Sequence, residues 1–559
     1  MKCAPLIGTS LSAPLTLALM LLGAAPPLRA TQSPPARPPS VQQQLQQLQR
    51  VLEAQQAQIE AQQKQLAEQK AQLDALRAAL PADQQQRQDV DKLQADVGKL
   101  QQAADKTKLG TQEAPRWSFN NNRPTISSAD GRSTLSVRAL VQADVGHYDQ
   151  APAGSLATDF RRGSTGATAN RETNGARDLS NGAYFRRARF GVEGVIARDF
   201  NYRFVMELAG AGTEGPTRIN DAWINYTGFA PFTLQLGAFS PPANLADATA
   251  PDDQLFLERA SAAELSRALG GADGRLGVGI RANGARWFGA LTLTSRAVND
   301  AEVYDSQSAL VGRAATLLAG SEDYNLHLGA SGTYVLHPAD QGIDASGARY
   351  GMRFRERPEL RIDSTRLIDT GSINARHAYA AGVELAANWR NFLLQGEHYW
   401  FGIERAKPTT LQNPRFDGYY LEGSWVITGE PHRYNAASAS FQNPRPRVAF
   451  SPGNGWGAWE LALRFSHTDL NFNEGLDGAA STANSVRGGE QDIFTVGVNW
   501  YLNTNLKLLL NYSHIKVDRL NPARAASPIP FGDAPLTPPF GVQIGQDLNS
   551  YALRTQFSF

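Results

Sequence analysis

The chain has 559 residues but only one cysteine, Cys3, and four methionines. Cys3 lies in a segment expected to be cleaved, so neither a disulfide framework nor a thiolate metal site is expected. It precedes the apolar stretch, whereas a lipoprotein needs its cysteine just after one. Charge of one sign is also lacking. The net charge is +1, which gives no support for a nucleic-acid binder. No segment after residue 30 has about 20 consecutive apolar residues, so no spanning helix is expected. The eight histidines include His327, His377, His398 and His467. None sits in an H-E-x-x-H or Ser/His/acid motif, so no enzyme, metal or cofactor is expected.

What is present is moderate polarity, 9% aromatic residues and 50 glycines. Such a composition suits a barrel with lipid outside and water inside, though a soluble β-solenoid would share it. At the N-terminus, Lys2 precedes the apolar Leu15–Leu22 (LTLALMLL) and small residues up to Ala30. This is a secretory signal pattern over residues 1–30, with cleavage near Ala30 or, alternatively, Ala25. Residues 31–40 form a proline-rich, extended linker.

From Val41 the apolar period is 3.5. Leu45, Leu52, Ile59, Leu66, Leu73 and Leu80 recur every seven residues. Val41, Leu48 and Leu76 fill the companion positions, with Gln55, Gln62 and Gln69 between them. Buried glutamines cost stability but fix register. The pattern predicts an α-helical coiled coil over 41–104, interrupted at Pro81 and resumed at Val90, Leu93, Val97 and Leu100. A glutamine-rich disordered spacer is the plainer reading. A coiled coil needs partner chains, so it predicts a homo-oligomer. Residues 105–133 read as a second linker.

From residue 134 the period changes to two. In the last segment Tyr551, Leu553, Thr555, Phe557 and Phe559 share one face, and Ala552, Arg554, Gln556 and Ser558 the other. Phe494, Val496, Val498 and Trp500 repeat the pattern, as do Trp459, Leu461, Leu463 and Phe465. One face suits hydrocarbon and the other solvent. Links are short near 197–198, 229–231, 284–285, 390 and 503–505. They are long near 147–183, 241–274, 297–323, 403–415, 469–489 and 517–547. Alternation of short and long links predicts an all-β transmembrane barrel of about sixteen antiparallel strands over 134–559. The scheme requires a ninth strand near 346–356 and leaves one long link, 429–457, where a short one belongs. About sixteen strands leave an aqueous channel. A barrel plugged by its own loops is the competing reading.

The third long link, 241–274, is the expected constriction loop and carries Leu257-Glu258-Arg259. Alternation sends Arg187 and Arg189 of the second strand into the lumen, whereas Arg186 has the opposite parity. Guanidinium groups in a narrow aqueous neck attract oxyanions. Arg353, Arg355 and Arg357, with Arg361 beyond, are spaced to form a ladder at the outer mouth. The plainer reading is solvated charges paired with Glu356, Glu359 and Asp363.

Six stretches carry a family resemblance: FRRARFGVEG at Phe185–Gly194, DAWINYTGF at Asp221–Phe229, Leu234–Gly237 with Leu257-Glu258-Arg259, ITGE at Ile427–Glu430, GAWEL at Gly457–Leu461, and GVNWY at Gly497–Tyr501. In this order they resemble the phosphate-selective porin O/P family, and the resemblance spans the barrel. It implies a trimeric, sixteen-stranded anion channel of the bacterial outer membrane. It implies neck arginines at Arg186, Arg187 and Arg259, and a mouth ladder around Arg355 and Arg357. Three neck positions depart from the family pattern. Its lysine falls on Asp247, its aspartate on Asn220 and its serine on Ala250. The first changes the local charge by two units, and Asp252 and Asp253 add negative charge nearby.

The function expected is passive diffusion of small hydrophilic solutes, with a preference for anions such as phosphate or polyphosphate. Expected partners are outer-membrane lipid, two further copies of the chain and small anionic solutes. A barrel anchoring a periplasmic stalk to peptidoglycan is the first alternative. A general or sugar-type porin without anion preference is the second.

Overall fold

The computed structural model describes residues 64–75 and 91–99 in part, 115–150 apart from 121–122, and 179–300 apart from 210–216. It continues over 304–344 apart from 322, then 347–522, 529–531, 534–536 and 540–559. The signal segment 1–30 and the linker 31–40 lie outside these residues. Of the span 41–104, the described residues are helical, but the heptad positions Leu45, Leu52, Ile59, Leu66, Leu73 and Leu80 lie outside them. The chain divides into two units, Met1–Gln112 and Glu113–Phe559.

The second unit is a closed antiparallel barrel of sixteen strands. They are β1 (Thr134–Gln150), β2 (Gly182–Ile196), β3 (Phe200–Glu207), β4 (Arg218–Phe229), β5 (Phe232–Phe239), β6 (Arg275–Asn283), β7 (Trp287–Ala297) and β8 (Ser308–Gly320). Then come β9 (Tyr324–His337), β10 (Ile373–Trp389), β11 (Phe392–Arg405), β12 (Arg415–Val426), β13 (Ala458–Phe472), β14 (Val486–Tyr501), β15 (Leu506–Asp518) and β16 (Gln546–Ser558). The last strand closes on the first, from Leu548 opposite Gln150 to Ser558 opposite Leu140. Closure leaves no open sheet edge, which a spanning sheet requires. Within 105–133, Arg116–Asn120 and Arg123–Ser127 form a hairpin that pairs with the start of β1.

The alternation of the last strand resolves as the sequence predicts. Leu553 is 43% exposed on the outer wall, and Arg554, one residue on, is 1% exposed inside. Aromatic residues crowd the short-turn end of the wall. The Trp389, Phe392 and Trp425 rings stack at 6.2 and 6.0 Å, and Trp459 on Trp500 at 5.0 Å. Aromatic girdles of this kind sit at lipid–water interfaces.

Two expectations are corrected. Residues 346–356 are not a barrel strand. Only Gly351–Met352 pairs there, with Asn374 and Ile373. The missing strand is β8, inside the span 297–323 read as a link. Apart from the inward Arg313, its outward residues Leu310, Gly312 and Ala314 and its inward Ala309, Val311 and Ala315 are small or apolar, so little alternation shows. Loop residues cover the inner face. Gly270 packs so closely there that a Cβ would lie 2.7 Å from Thr333 Cγ2 and 3.0 Å from Ala309 Cβ.

The lumen is also less uniformly polar than expected. In the long-loop half an apolar cluster joins the inward loops to the wall. Helix α2 (Ser261–Gly270) contributes Ala262, Leu265 and Leu269, and the loop 338–372 contributes Phe354, Leu360 and Ile368. They pack on the wall residues Tyr399, Phe401 and Ile515.

The candidate pore constriction

Three segments fold into the barrel. The first is 240–274, which carries α1 (Leu245–Ala248) and α2. Glu397 of β11 accepts from the amides of Leu245 (2.8 Å) and Ala246 (3.0 Å), and Tyr420 donates to the same carboxylate (2.7 Å). Asn244 caps α1 by accepting from the Asp247 amide at 2.7 Å. Wall side chains satisfy the loop carbonyls. Arg464 donates to Glu258 O (2.9 Å), Asn499 to Leu255 O (3.0 Å) and Lys507 to Gln254 O (2.8 Å). A loop held at so many buried polar groups is a rigid partition.

The second segment is 338–372. Tyr148 donates to Leu360 O at 3.1 Å. Glu359 has the left-handed φ of 55° and is held there by the Ser261 amide (2.9 Å), the Ser466 hydroxyl (2.6 Å) and Arg464. The third is the link 427–457, the long connection at the short-turn end. Arg313 donates to Ser438 O (2.8 Å) and Ala439 O (2.7 Å), and Tyr434 meets His327 at 2.9 Å. His432 pairs with Glu460 at 2.6 Å, and the Asn443 amide donates to Asp253 at 2.9 Å. The link therefore folds inward and docks against 240–274.

Where these segments meet the wall, six arginines and six carboxylates form one continuous ion-pair network. Arg186 donates to both oxygens of Glu258 (2.6 and 3.1 Å). Glu258 also meets Arg554 (3.1 Å) and Arg361 (3.3 Å), and Arg554 holds Asp144 at 2.7 Å. Arg361 reaches Glu264 at 2.9 Å. Arg267 binds Glu264, Asp247 and Asp273. Arg259 lies 3.9 Å from Asp247 and 3.7 Å from Glu264. Arg189 binds Asp273 (2.8 Å) and Glu207 (2.9 Å). Burial alone would raise the Glu258 carboxyl. The guanidiniums of Arg186, Arg361 and Arg554 outweigh it and hold Glu258 well below the usual carboxylate range. Burial is likewise overcome at Asp273 by Arg267 and Arg189. The network is thus charged on both sides and formally neutral.

Arg187 stands outside it. A β-bulge on β2 skips Arg186, with Gln142 opposite Arg187 and Ala143 opposite Phe185. Phe185 faces outward at 57% exposure, and Arg186 and Arg187 both turn inward at 5% and 4%. Parity gave the right direction for Arg187 and Arg189 but could not reveal the bulge that turns Arg186. Arg187 donates to Gln142 Oε1 at 2.6 Å, its Nε has no partner, and no carboxylate pairs with it among the described residues.

The mouth arginines do not form a one-sided ladder. Arg353 is exposed and paired with Asp369, Arg355 is exposed, Arg357 is 2% exposed, and Arg361 is drawn into the neck network. Irregular loop backbone, with the turn at Glu359, breaks the strand spacing that a ladder needs. Of the three departures, Asp247 neutralises Arg267. Asn220 donates to Asp221 (2.9 Å) and keeps a buried, unpartnered Oδ1. Ala250 lines the space below the neck. Sequence reasoning missed Asp144, Glu207, Glu264, Arg267, Asp273 and Arg554 as neck residues. The inward parity of Arg554 and of Glu207 is the signal the sequence offers.

Below the network, toward the short-turn end, lie a cavity of about 300 Å³ and a vestibule of about 650 Å³. They share Arg138, Arg203, Ala248, Ala250 and Ser438. Arg123, Arg138 and Arg203 converge on the single carboxylate of Glu193. Elsewhere, His467, Glu490 and Asp492 bring ligand atoms within 4.8 Å of one another on the outer wall, as a half-buried cross-strand cluster.

The sequence model described as phosphate-selective porin O and P matches residues 162–528. The chain belongs to that family. It is an outer-membrane porin, a channel rather than an enzyme. Among relatives of this porin, Porin O of Pseudomonas aeruginosa is 24% identical over 386 residues, covering 66% of this chain and 83% of that one. A Caulobacter vibrioides protein described as uncharacterized is 27% identical over 414 residues, covering 72% of each. Among solved structures, the anion-selective porin from Comamonas acidovorans matches with a TM-score of 0.41 at 12% identity, over 76% of this chain and all of that one.

Proposed function

We propose that this porin gives passive passage to small hydrophilic solutes and prefers anions, phosphate and polyphosphate among them, without a high-affinity phosphate site. One observation carries the reading. The six neck arginines in the network already hold six carboxylates, whereas the space below is lined by Arg123, Arg138, Arg203, Arg281, Arg433, Arg445 and Lys507 against Asp221, Asp252 and Asp253, with Glu193 under the first three. A neutral neck supplies no strong oxyanion trap, because each guanidinium fork is already occupied. The basic space beneath raises the local anion concentration and sets the sign of the preference. Arg187, buried and without a paired carboxylate, adds one positive charge to the field at the neck.

The signal segment supports export, the heptads of 41–104 support a homo-oligomer with a periplasmic stalk, and the family resemblance makes that oligomer a trimer; peptidoglycan is the partner proposed for the stalk. The test of the transport reading is the reversal potential of the full-length protein in a potassium chloride gradient across a planar bilayer. Anion selectivity is expected, and cation selectivity would overturn the reading.

A further inference from the structure

The cavity of about 300 Å³ beneath the neck has a wall unlike that of a simple ion path. Trp223 of β4, Phe239 of β5 and Phe288 of β7 line it together with Leu140 and Val205. Lumen faces of water-filled barrels are ordinarily polar. Inorganic anions gain nothing from aromatic walls, since they keep their charge hydrated or paired. Charge is nevertheless present in the same space. The Arg203 guanidinium lies 5.1 Å over the Trp223 ring while pairing with Glu193 at 2.8 Å. Arg281 of β6 lines the cavity and has no ion-pair or hydrogen-bond partner among the described residues. Asn220, 5% exposed, keeps its Oδ1 unpartnered there.

Asp247 and Asp273 also line the cavity but are held by Arg267, and Asp221 stands beside Asn220, while Arg313 covers one face of Phe288 as Arg203 does of Trp223. A cavity with aromatic side chains, a guanidinium without an ion-pair partner and an orphaned acceptor matches a ligand with a flat apolar body and one anionic end. We propose that this cavity is a subsite for small aromatic carboxylates. The ring lies on the Trp223, Phe239 and Phe288 wall, and the carboxylate takes the Arg281 fork in a bidentate pair. The unpartnered Asn220 Oδ1 accepts from a ring hydroxyl or from a water carried in with the ligand. Aromatic acids are thereby retained longer than aliphatic or inorganic anions of equal charge. A volume of 300 Å³ is at the lower end of small-molecule pockets and admits a single ring with its hydration. This inference rests on the anion-preferring reading of the same pore, and names the class of organic anion that the pore retains.

The test uses the full-length porin in planar bilayers, with benzoate, acetate and inorganic phosphate as blockers of chloride current. Benzoate is expected to half-block at a concentration at least tenfold below acetate. Trp223→Leu should shrink that ratio to within about twofold by removing the ring platform. Arg281→Gln should raise the benzoate half-block concentration about tenfold by removing the bidentate pair. Equal block by benzoate and acetate in the unaltered protein overturns the inference, and that measurement needs no variant to fold. Stronger benzoate block that neither substitution changes overturns the assignment to this cavity. Failure of the underlying reading shows separately, as a cation-selective reversal potential in potassium chloride alone.

Discussion

Arg187 donates to Gln142 Oε1 at 2.6 Å, and this neutral amide takes the place that a carboxylate occupies beside every arginine of the adjoining network. The bulge on β2 puts Arg186 and Arg187 side by side in the lumen, and Glu258 claims only the first. The uncompensated positive charge of the neck therefore resides on Arg187. Arg187→Gln should lower the anion-to-cation permeability ratio by up to roughly thirtyfold, since a single charge at about 4 Å through water acts about fivefold on each ion and with opposite sign. Reversal potentials before and after the substitution measure it. An unchanged ratio would move the selectivity to the basic space below.

Asp247 occupies the position where the family pattern has lysine, and it is bound by Arg267 and lies near Arg259. Asp247→Lys turns a balanced network into one with two excess positive charges, while the terminal nitrogens of Arg267 stay on Glu264 and Asp273. Phosphate should then block chloride current at a concentration about tenfold lower than in the parent, because the added lysine offers it a charge-assisted hydrogen bond. If phosphate block is unaltered while the barrel remains folded, the neck neutrality argued above is not what limits phosphate affinity.

Much of this was legible in the sequence, and the limits have physical causes. β14 and β16 alternate visibly because lipid meets one face and polar side chains line the other. β8 does not, because α2 and the link 427–457 cover its inner face, where apart from Arg313, which bonds the link, small or apolar residues serve both sides. At the neck, parity located Arg187 and Arg189. The partners that neutralise the remaining arginines come from distant segments, as when Arg554 bridges Asp144 and Glu258 across about three to four hundred residues. No local pattern reports such a contact. The long link at 427–457 stood out as an exception to the alternation, and its inward fold accounts for its length.

Asp253 lines the vestibule and accepts from the Asn443 amide of that inward link. Burial, and then the neighbouring Asp252 charge, push its carboxyl up to about 6. It is ionised at pH 7 and takes a proton as the pH falls through about 6. The vestibule then loses one negative charge, so anion preference should rise between pH 7 and pH 5. Because this value is raised above the ordinary carboxylate range, ionisation weakens the folded arrangement, and docking of the link should tighten as the pH falls. Asp253→Asn should abolish the pH step near 6 and hold the channel at its low-pH selectivity. A step that persists in this variant assigns the titration to another group.

The link itself is held by a buried hydrogen bond between His432 and Glu460 at 2.6 Å, and by Tyr434 on His327 at 2.9 Å. Removing one partner of a buried hydrogen bond leaves the other short of a partner, at a cost of about 1–3 kcal/mol. His432→Ala leaves Glu460 with Tyr501 and Asn499 and loosens the hairpin Arg433–Asn435 with Ser440–Gln442 from the wall. Because 240–274 and the barrel wall have their own anchors, the barrel should remain closed. Only the short-turn side of the passage should open. Single-channel recordings of His432→Ala should show a larger mean conductance with frequent transitions between levels, whereas Tyr434→Phe, which deletes one neutral hydrogen bond, should show a smaller change of the same sign. Steady current at the parent level in both variants would mean that the link does not narrow the passage at all.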